Sequence, residues 1–260
     1  MVVADLHVHT TNSDGTMELA EVPAAARRAG VRAVAITDHD RLHPQLNAPV
    51  THIDGVTVLH GIELRVDVGE FRVDVLGYGA RHTPALDEEL ARLQRDRRER
   101  GAAIIERVEE HTNVRLGIEA REGLGRPHIA RAIAESEAPY DYREAFDELI
   151  GNGRPCYVPR AVTDFETGVD LLTEACGLVG LAHPYRYEET EAALALCADL
   201  DAVELHYDYG TEVDPRPVER AIREYDLVAT GGSDAHDDLL GRAGLSEEEY
   251  LLFRSHVRLP

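Results

Sequence analysis

Residue types that bind metal fall repeatedly at the ends of short apolar runs, and those runs alternate with helix-like stretches. Few folds accept that rhythm. The chain opens on Val2-Val3-Ala4 and continues as Asp5-Leu6-His7-Val8-His9. Two histidines at i and i+2 on a strand point to one face. The run 32–37 ends in Asp38-His39-Asp40, and the run 56–64 ends near Glu63. The run 178–182 ends in His183-Pro184, and the run 227–230 leads into Gly231-Gly232-Ser233-Asp234-Ala235-His236. Barrels of parallel strands carry their active sites on the rim at the C-terminal ends of the strands. The pattern therefore predicts an α/β chain, a closed or nearly closed β/α barrel of about seven strands.

Helices are expected between these strands over 18–29, 166–175, 191–198 and 217–225. Residues 70–76 alternate, with Phe71, Val73 and Val75 on one face and Arg72 and Asp74 on the other. They predict a strand that pairs with 64–68 through a turn at Gly69. From Pro84 to Pro159 the character changes to a long charged helix over 85–111 and shorter ones over 127–135 and 142–150. The expected organisation is one domain over 1–260, with 84–159 as a helical insertion or lid within it.

A chain of 260 residues can bury a full core. Its formal net charge is -22, and it contains no lysine, so all 27 basic side chains are arginine. Self-repulsion at such a charge opposes compaction in dilute buffer, and dissolved salt screens it. A salt-loving source is expected, with an Arg-biased acidic mesophile protein as the alternative. The acidity argues against stable binding of duplex nucleic acid, which needs long basic patches. Arg95, Arg97, Arg98 and Arg100 are interrupted by Asp96 and Glu99 and read as a solvated helix face. No apolar run reaches the length of a membrane span, and no basic leader precedes the first strand, so a cytoplasmic location is expected. Cys156, Cys176 and Cys197 lack the short spacing of a zinc or redox motif, which suits a reducing compartment.

Taken singly, each candidate ligand has an ordinary alternative. His7 and His9 alone are a weak signal, since many such pairs are surface histidines. Asp5 shares their face and either orients a ligand or caps a strand end. Asp14, in Thr11-Asn12-Ser13-Asp14-Gly15, reads also as a turn aspartate. His39 reads also as a loop residue. Glu63 ends an apolar strand, where an unpaired carboxylate is costly. Asp74 is evenly balanced between a ligand and a solvated strand residue. His183, Asp234 and His236 complete the set. Jointly they repeat one chemistry, imidazole and carboxylate gathered around divalent metal.

On the motifs Asp5-Leu6-His7-Val8-His9, Thr37-Asp38-His39-Asp40, Gly61-Ile62-Glu63, Ala182-His183-Pro184 and Gly232-Ser233-Asp234-Ala235-His236, the sequence resembles the PHP (polymerase and histidinol phosphatase) family. The resemblance implies a distorted (β/α)7 barrel with two or three divalent metal ions, Mn²⁺ first, with Mg²⁺, Fe²⁺ or Zn²⁺ as alternatives. It puts His7, His9, Glu63 and Asp234 on one ion and Asp14, His39 and His236 on another. Glu63 then bridges to a third ion held also by His183. Asp74 stands where the family usually has histidine. A carboxylate there favours Mn²⁺ or Mg²⁺ and leaves the third site weak or empty. The extra metal-binding cysteine of polymerase-type members has no assigned counterpart among the three cysteines.

Within the family the chain most resembles small stand-alone phosphoesterases acting on nucleotides, through Gly125-Arg126-Pro127-His128, Tyr157-Val158-Pro159-Arg160 and His183-Pro184-Tyr185-Arg186-Tyr187. That likeness implies phosphate contacts from Arg126, Arg160 and Arg186, since the planar guanidinium binds two phosphate oxygens at once. A surface salt bridge is the alternative for each. His128 is either a proton donor to the leaving group or a helix-capping residue. The expected reaction is attack on phosphorus by metal-activated hydroxide. The expected substrate is a nucleotide, a nucleoside 3′,5′-bisphosphate or a short oligonucleotide cleaved 5′ to 3′. A histidinol-phosphate-type phosphomonoesterase and a non-catalytic metal-binding module are the alternatives.

Overall fold

Ala4–Val8, Ala33–Ile36 and Leu178–Leu181 are buried at every position, which a strand achieves only when both faces are covered. These runs are the centre of the fold. The computed structural model describes residues 1–257. It divides into two units, residues 1–87 with 162 onward, and residues 88–161.

The strands, in chain order, are β1 (Ala4–Val8), β2 (Ala33–Ile36), β3 (Val50–Ile53), β4 (Val56–Asp67), β5 (Arg72–Tyr78), β6 (Thr163–Asp164), β7 (Leu178–Leu181), β8 (Ala202–Tyr207) and β9 (Val228–Gly232). All belong to the first unit. Seven of them run side by side in the order β1-β2-β4-β5-β7-β8-β9. The two ends of this array then meet. Beyond β9, the Ala235 N–H donates to the His7 carbonyl at 3.1 Å, and the His9 N–H donates to the Ala235 carbonyl at 2.9 Å. The result is a nearly closed seven-stranded barrel. Gly232 permits the closure: a Cβ there would lie 2.3 Å from the His7 nitrogen.

The helices are α1 (Val22–Ala29), α2 (Pro84–Thr112), α3 (Arg126–Glu135), α4 (Tyr142–Glu144), α5 (Phe165–Ala175), α6 (Thr190–Ala195), α7 (Arg216–Tyr225) and α8 (Glu247–His256). Pro23 sits in the first turn of α1, and Gly30, at φ 74°, ends it. Around the barrel the core includes Leu6, Leu76, Tyr78 and Phe253, with the last two rings edge to face at 5.3 Å. The second unit has its own core of Ile104, Val108, Leu124, Ile129, Ile133, Leu149 and Ile150.

Several expectations need correction. The barrel is not uniformly parallel: β5 runs antiparallel to both β4 and β7. Glu63 does not end its strand. β4 continues to Asp67 because its second half exchanges the parallel partner β2 for the antiparallel partner β5. Residues 142–150 make a single α-turn and then a π-helical segment, Ala145–Ile150. Arg97 is buried, and Arg100 donates to the Val158 carbonyl at 2.8 Å, so the arginine run is not a solvated face throughout. β3, β6 and α8 were not anticipated, although Ser246 and Glu249 form the reciprocal cap that marks a helix start.

Candidate metal centre

β1 turns Asp5, His7 and His9 to one face, and all three are fully buried. Asp5 does not orient an imidazole. Its carboxylate accepts the backbone N–H groups of Ser233 and Gly241, both at 2.8 Å, and so staples β1 to the chain that follows β9. Burial pushes its carboxyl up, although these N–H groups oppose the shift. The orienting carboxylate is Glu204 on β8. Its Oε1 lies 3.2 Å from His7 Nδ1, and its Oε2 accepts the His183 N–H at 2.8 Å. A carboxylate on Nδ1 fixes the tautomer and leaves Nε2 for a ligand. Sequence reasoning missed Glu204, although a glutamate inside the apolar run Ala202-Val203-Glu204-Leu205 was a signal.

Three groups of ligand atoms result, each lying within 4.8 Å of one another. One comprises His7, His9, Glu63 and Asp234; a second His9, Asp14, His39 and His236; a third Glu63, Asp74 and His183. His9 Nε2 is 3.0 Å from Asp234 Oδ1, and His236 Nε2 is 3.2 Å from Asp14 Oδ1. His39 Nδ1 lies 2.7 Å from Glu63 Oε2, and His183 Nε2 lies 2.9 Å from Glu63 Oε1. Glu63 therefore touches histidines of all three groups.

Loops fix these positions. Asp38, at the end of β2, accepts the Thr10 N–H, the Thr10 and Ser13 hydroxyls and the Asn12 amide at 2.7–3.1 Å. It thereby shapes the loop that presents Asp14. Asp40, His183 and Asp234 all adopt positive φ, at 52°, 27° and 48°, within a few residues of strand ends. Such backbone is costly outside glycine and persists where its surroundings impose it.

The electrostatics call for positive charge. Burial works against each carboxylate, yet the surrounding imidazoles hold Asp14, Glu63 and Asp234 below their usual range. Burial likewise works against charge on the histidines. The carboxylates nonetheless lift His7 well above its ordinary value and His39 to about 9, and raise His236. Burial, with His39 and His236 nearby, pushes His9 down. Buried His7 Nε2, His9 Nε2, Asp14 Oδ1, Glu63 Oε2 and Asp234 Oδ1 lie 2.7–3.5 Å from neighbouring imidazoles or carboxylates, yet none of these contacts has the alignment of a hydrogen bond. Convergent imidazole nitrogens and carboxylate oxygens left unsatisfied in a buried place fit divalent cations.

Asp74 is not a solvated strand residue. It is 1% exposed, because β5 runs between β4 and β7. Its backbone N–H donates to the Tyr187 hydroxyl at 2.8 Å. Arg186 sits at the edge of the centre, donating from Nη1 to Asp234 Oδ2 at 3.0 Å and to the Tyr207 hydroxyl at 2.9 Å. Arg126, His128 and Arg160 belong to the second unit. There Arg126 donates to Asn152 Oδ1 at 3.0 Å, and His128 Nδ1 accepts the Gly125 N–H at 3.1 Å, the capping contact at the start of α3.

Comparison with known proteins agrees with this architecture. The PHP domain family matches residues 5–144. The chain is 30% identical over 251 residues to the phosphoribosyl 1,2-cyclic phosphate 1,2-diphosphodiesterase of Eggerthella lenta, covering 90% of this chain and 94% of that one. It is 29% identical over 196 residues to the 3′,5′-nucleoside bisphosphate phosphatase of Chromobacterium violaceum, covering 72% and 69%. It is 26% identical over 245 residues to the 5′-3′ exoribonuclease of Haemophilus influenzae, covering 89% of each. A crystal structure of a candidate metal-dependent phosphoesterase from Bifidobacterium adolescentis shares the fold at a TM-score of 0.80, with 22% identity and coverage of 98% and 96%. With the family matched over more than half of this chain, the chain belongs to the PHP domain family and is a hydrolytic enzyme.

Proposed function

We propose that this hydrolase removes or cleaves phosphate on nucleotides, as a nucleoside 3′,5′-bisphosphate phosphatase or a 5′-3′ exonuclease on short oligonucleotides. The observation that carries the reading is the convergence of unsatisfied ligand atoms from His7, His9, Asp14, Glu63 and Asp234. Divalent cations bound there, Mn²⁺ foremost, would supply an activated water and neutralise charge on phosphoryl oxygens. The chain's own groups do the rest. Glu204 holds His7 in one tautomer. Arg186 is anchored by Asp234 and Tyr207 and keeps further N–H donors for the phosphoryl oxygens, which gather charge as the bond to the leaving oxygen breaks. Arg126 and Arg160 are assigned as additional phosphate ligands, and His128 as the donor that protonates the leaving oxygen. These three assignments rest on the likeness of their segments to the nucleotide-acting subgroup.

A nucleotide also has a base to place. Tyr185 follows β7, Tyr207 ends β8 and Tyr209 follows it, with ring centroids 4.5–5.4 Å apart between neighbours. Tyr207 is hydrogen-bonded to the ligand Asp234 at 2.9 Å. Aromatic faces beside a phosphate site suit bases, which stack without regard to sequence. The similarity to a cyclic-phosphate diphosphodiesterase favours a second reading, a cyclic phosphoribosyl ester as substrate. The lysine-free acidic composition supports a salt-rich cytoplasm as the setting.

The test is a Mn²⁺-supplemented assay in high salt on mononucleotides, 3′,5′-bisphosphates, short RNA and DNA, a cyclic phosphoribosyl ester and histidinol phosphate. Bisphosphates or oligonucleotides should be turned over best, and Asp234→Asn or His9→Ala should cut phosphate release by about 10³-fold or more while lowering metal content. Full activity in either variant refutes the assignment. A metal-loaded protein inert to every ester points instead to a non-catalytic module.

A further inference from the structure

The third ligand group differs from the other two in how its carboxylate is satisfied. Arg65 and Asp74 face each other directly in the β4–β5 register. Arg65 Nε donates to Asp74 Oδ1 at 2.7 Å, and Arg65 Nη2 donates to Asp74 Oδ2 at close range. Both oxygens of a carboxylate that is 1% exposed are thus taken by one guanidinium, in the fork geometry that arginine forms best. Asp14 and Asp234 each keep an unpartnered oxygen, whereas neither oxygen of Asp74 is unpartnered. The other members of the group are also engaged with each other, since His183 Nε2 is 2.9 Å from Glu63 Oε1 but 3.8 Å from Asp74 Oδ2. Arg65 and Glu63 lie on one face of β4, two residues apart, so any cation reaching Glu63, Asp74 and His183 would meet a fixed positive charge.

We propose that the Arg65 guanidinium takes the place of a third cation, so that this chain retains two divalent ions and its Glu63–Asp74–His183 position stays closed for as long as Arg65 holds Asp74. The inference rests on the metal reading above and goes beyond it in fixing the number of ions and the residue that limits it.

Metal content measures this without any assay of turnover. The full chain is stripped with chelator, equilibrated with excess Mn²⁺ in high salt, freed of unbound ion by gel filtration and analysed by mass spectrometry for manganese per chain. Wild type should retain about two ions, and Arg65→Gln about three, a rise of roughly half. Asp74→Asn removes the third carboxylate and should remain at the wild-type value. Should Arg65→Gln not fold, the double variant Arg65→Leu with Asp74→His, which replaces the ion pair by an apolar group and an imidazole, carries the same expectation of about three. Three ions in wild type, or no gain in the folded Arg65 variant, overturns the inference while leaving the metal centre intact. No retained ion in wild type overturns both.

Discussion

Burial holds a side chain neutral around this barrel wherever opposite charge does not outweigh it, and His60 shows it away from the ligands. It is 1% exposed, and its Nε2 accepts the His43 N–H at 3.0 Å, so the ring must stay neutral to keep that bond. Burial, followed by the neighbouring His82 and His43, pulls it from 6.5 down to about 4. A base held neutral in the fold is protonated first in the unfolded chain. Its stability contribution is therefore complete above pH 6.5 and is lost as the pH falls towards about 4, at a cost of about 3 kcal/mol. Acid unfolding followed by circular dichroism should show His60→Gln, whose amide oxygen can accept the same N–H, losing less stability over that window than wild type. Equal slopes in the two proteins would remove His60 as the cause. At this scale the ligand types and their motifs were legible from sequence. Asp74 was half legible, because alternation reveals only that it opposes Val73 and Val75, not that the opposite face is covered too. Glu204 and Arg65 were missed because their roles depend on what lies across a strand pair.

At the scale of elements, the alternation of apolar runs and helices gave most strands and helices to within a few residues. The hairpin through Gly69 forms as its sequence predicts. A strand entering by a tight turn must run backwards, so β5 brings Asp74 to the rim from its N-terminal half rather than its C-terminal end. β3 and β6 are short and mixed in polarity, and their pairing comes from β4 rather than from their own composition. The seam between β1 and β9 is where element packing and ligand placement coincide. Gly232→Ala would drive a Cβ to 2.3 Å from the His7 nitrogen and 2.4 Å from its Cβ. The strand bearing His7 and His9 would have to move. Thermal unfolding should show a loss of about 1–3 kcal/mol, accompanied by reduced manganese retention. Wild-type stability and metal content in this variant would show that the seam has slack.

At the scale of the whole molecule, a net charge of -22 on 260 residues is the dominant long-range force. Among the described residues, no helix is long and apolar enough to cross a membrane. Many arginines are already committed to acidic partners, as in the exposed pairs Arg28–Asp238, Arg216–Asp214 and Arg220–Glu191. Such pairs add little, and salt weakens them, so screening of the excess negative charge governs the net response. The melting temperature of the metal-free protein should rise between about 0.1 M and about 3 M KCl. A flat or falling curve would exclude a salt-adapted chain. The expectation of that dependence comes from composition alone, and composition also changes character near Pro84, close to the boundary at residue 88.

The centre joins His7 and His9 to Asp234 and His236, more than two hundred residues further along the chain. A ribosome must therefore deliver all the polypeptide between them before the full ligand set exists. A nascent segment that stops short of Asp234 carries only part of that set.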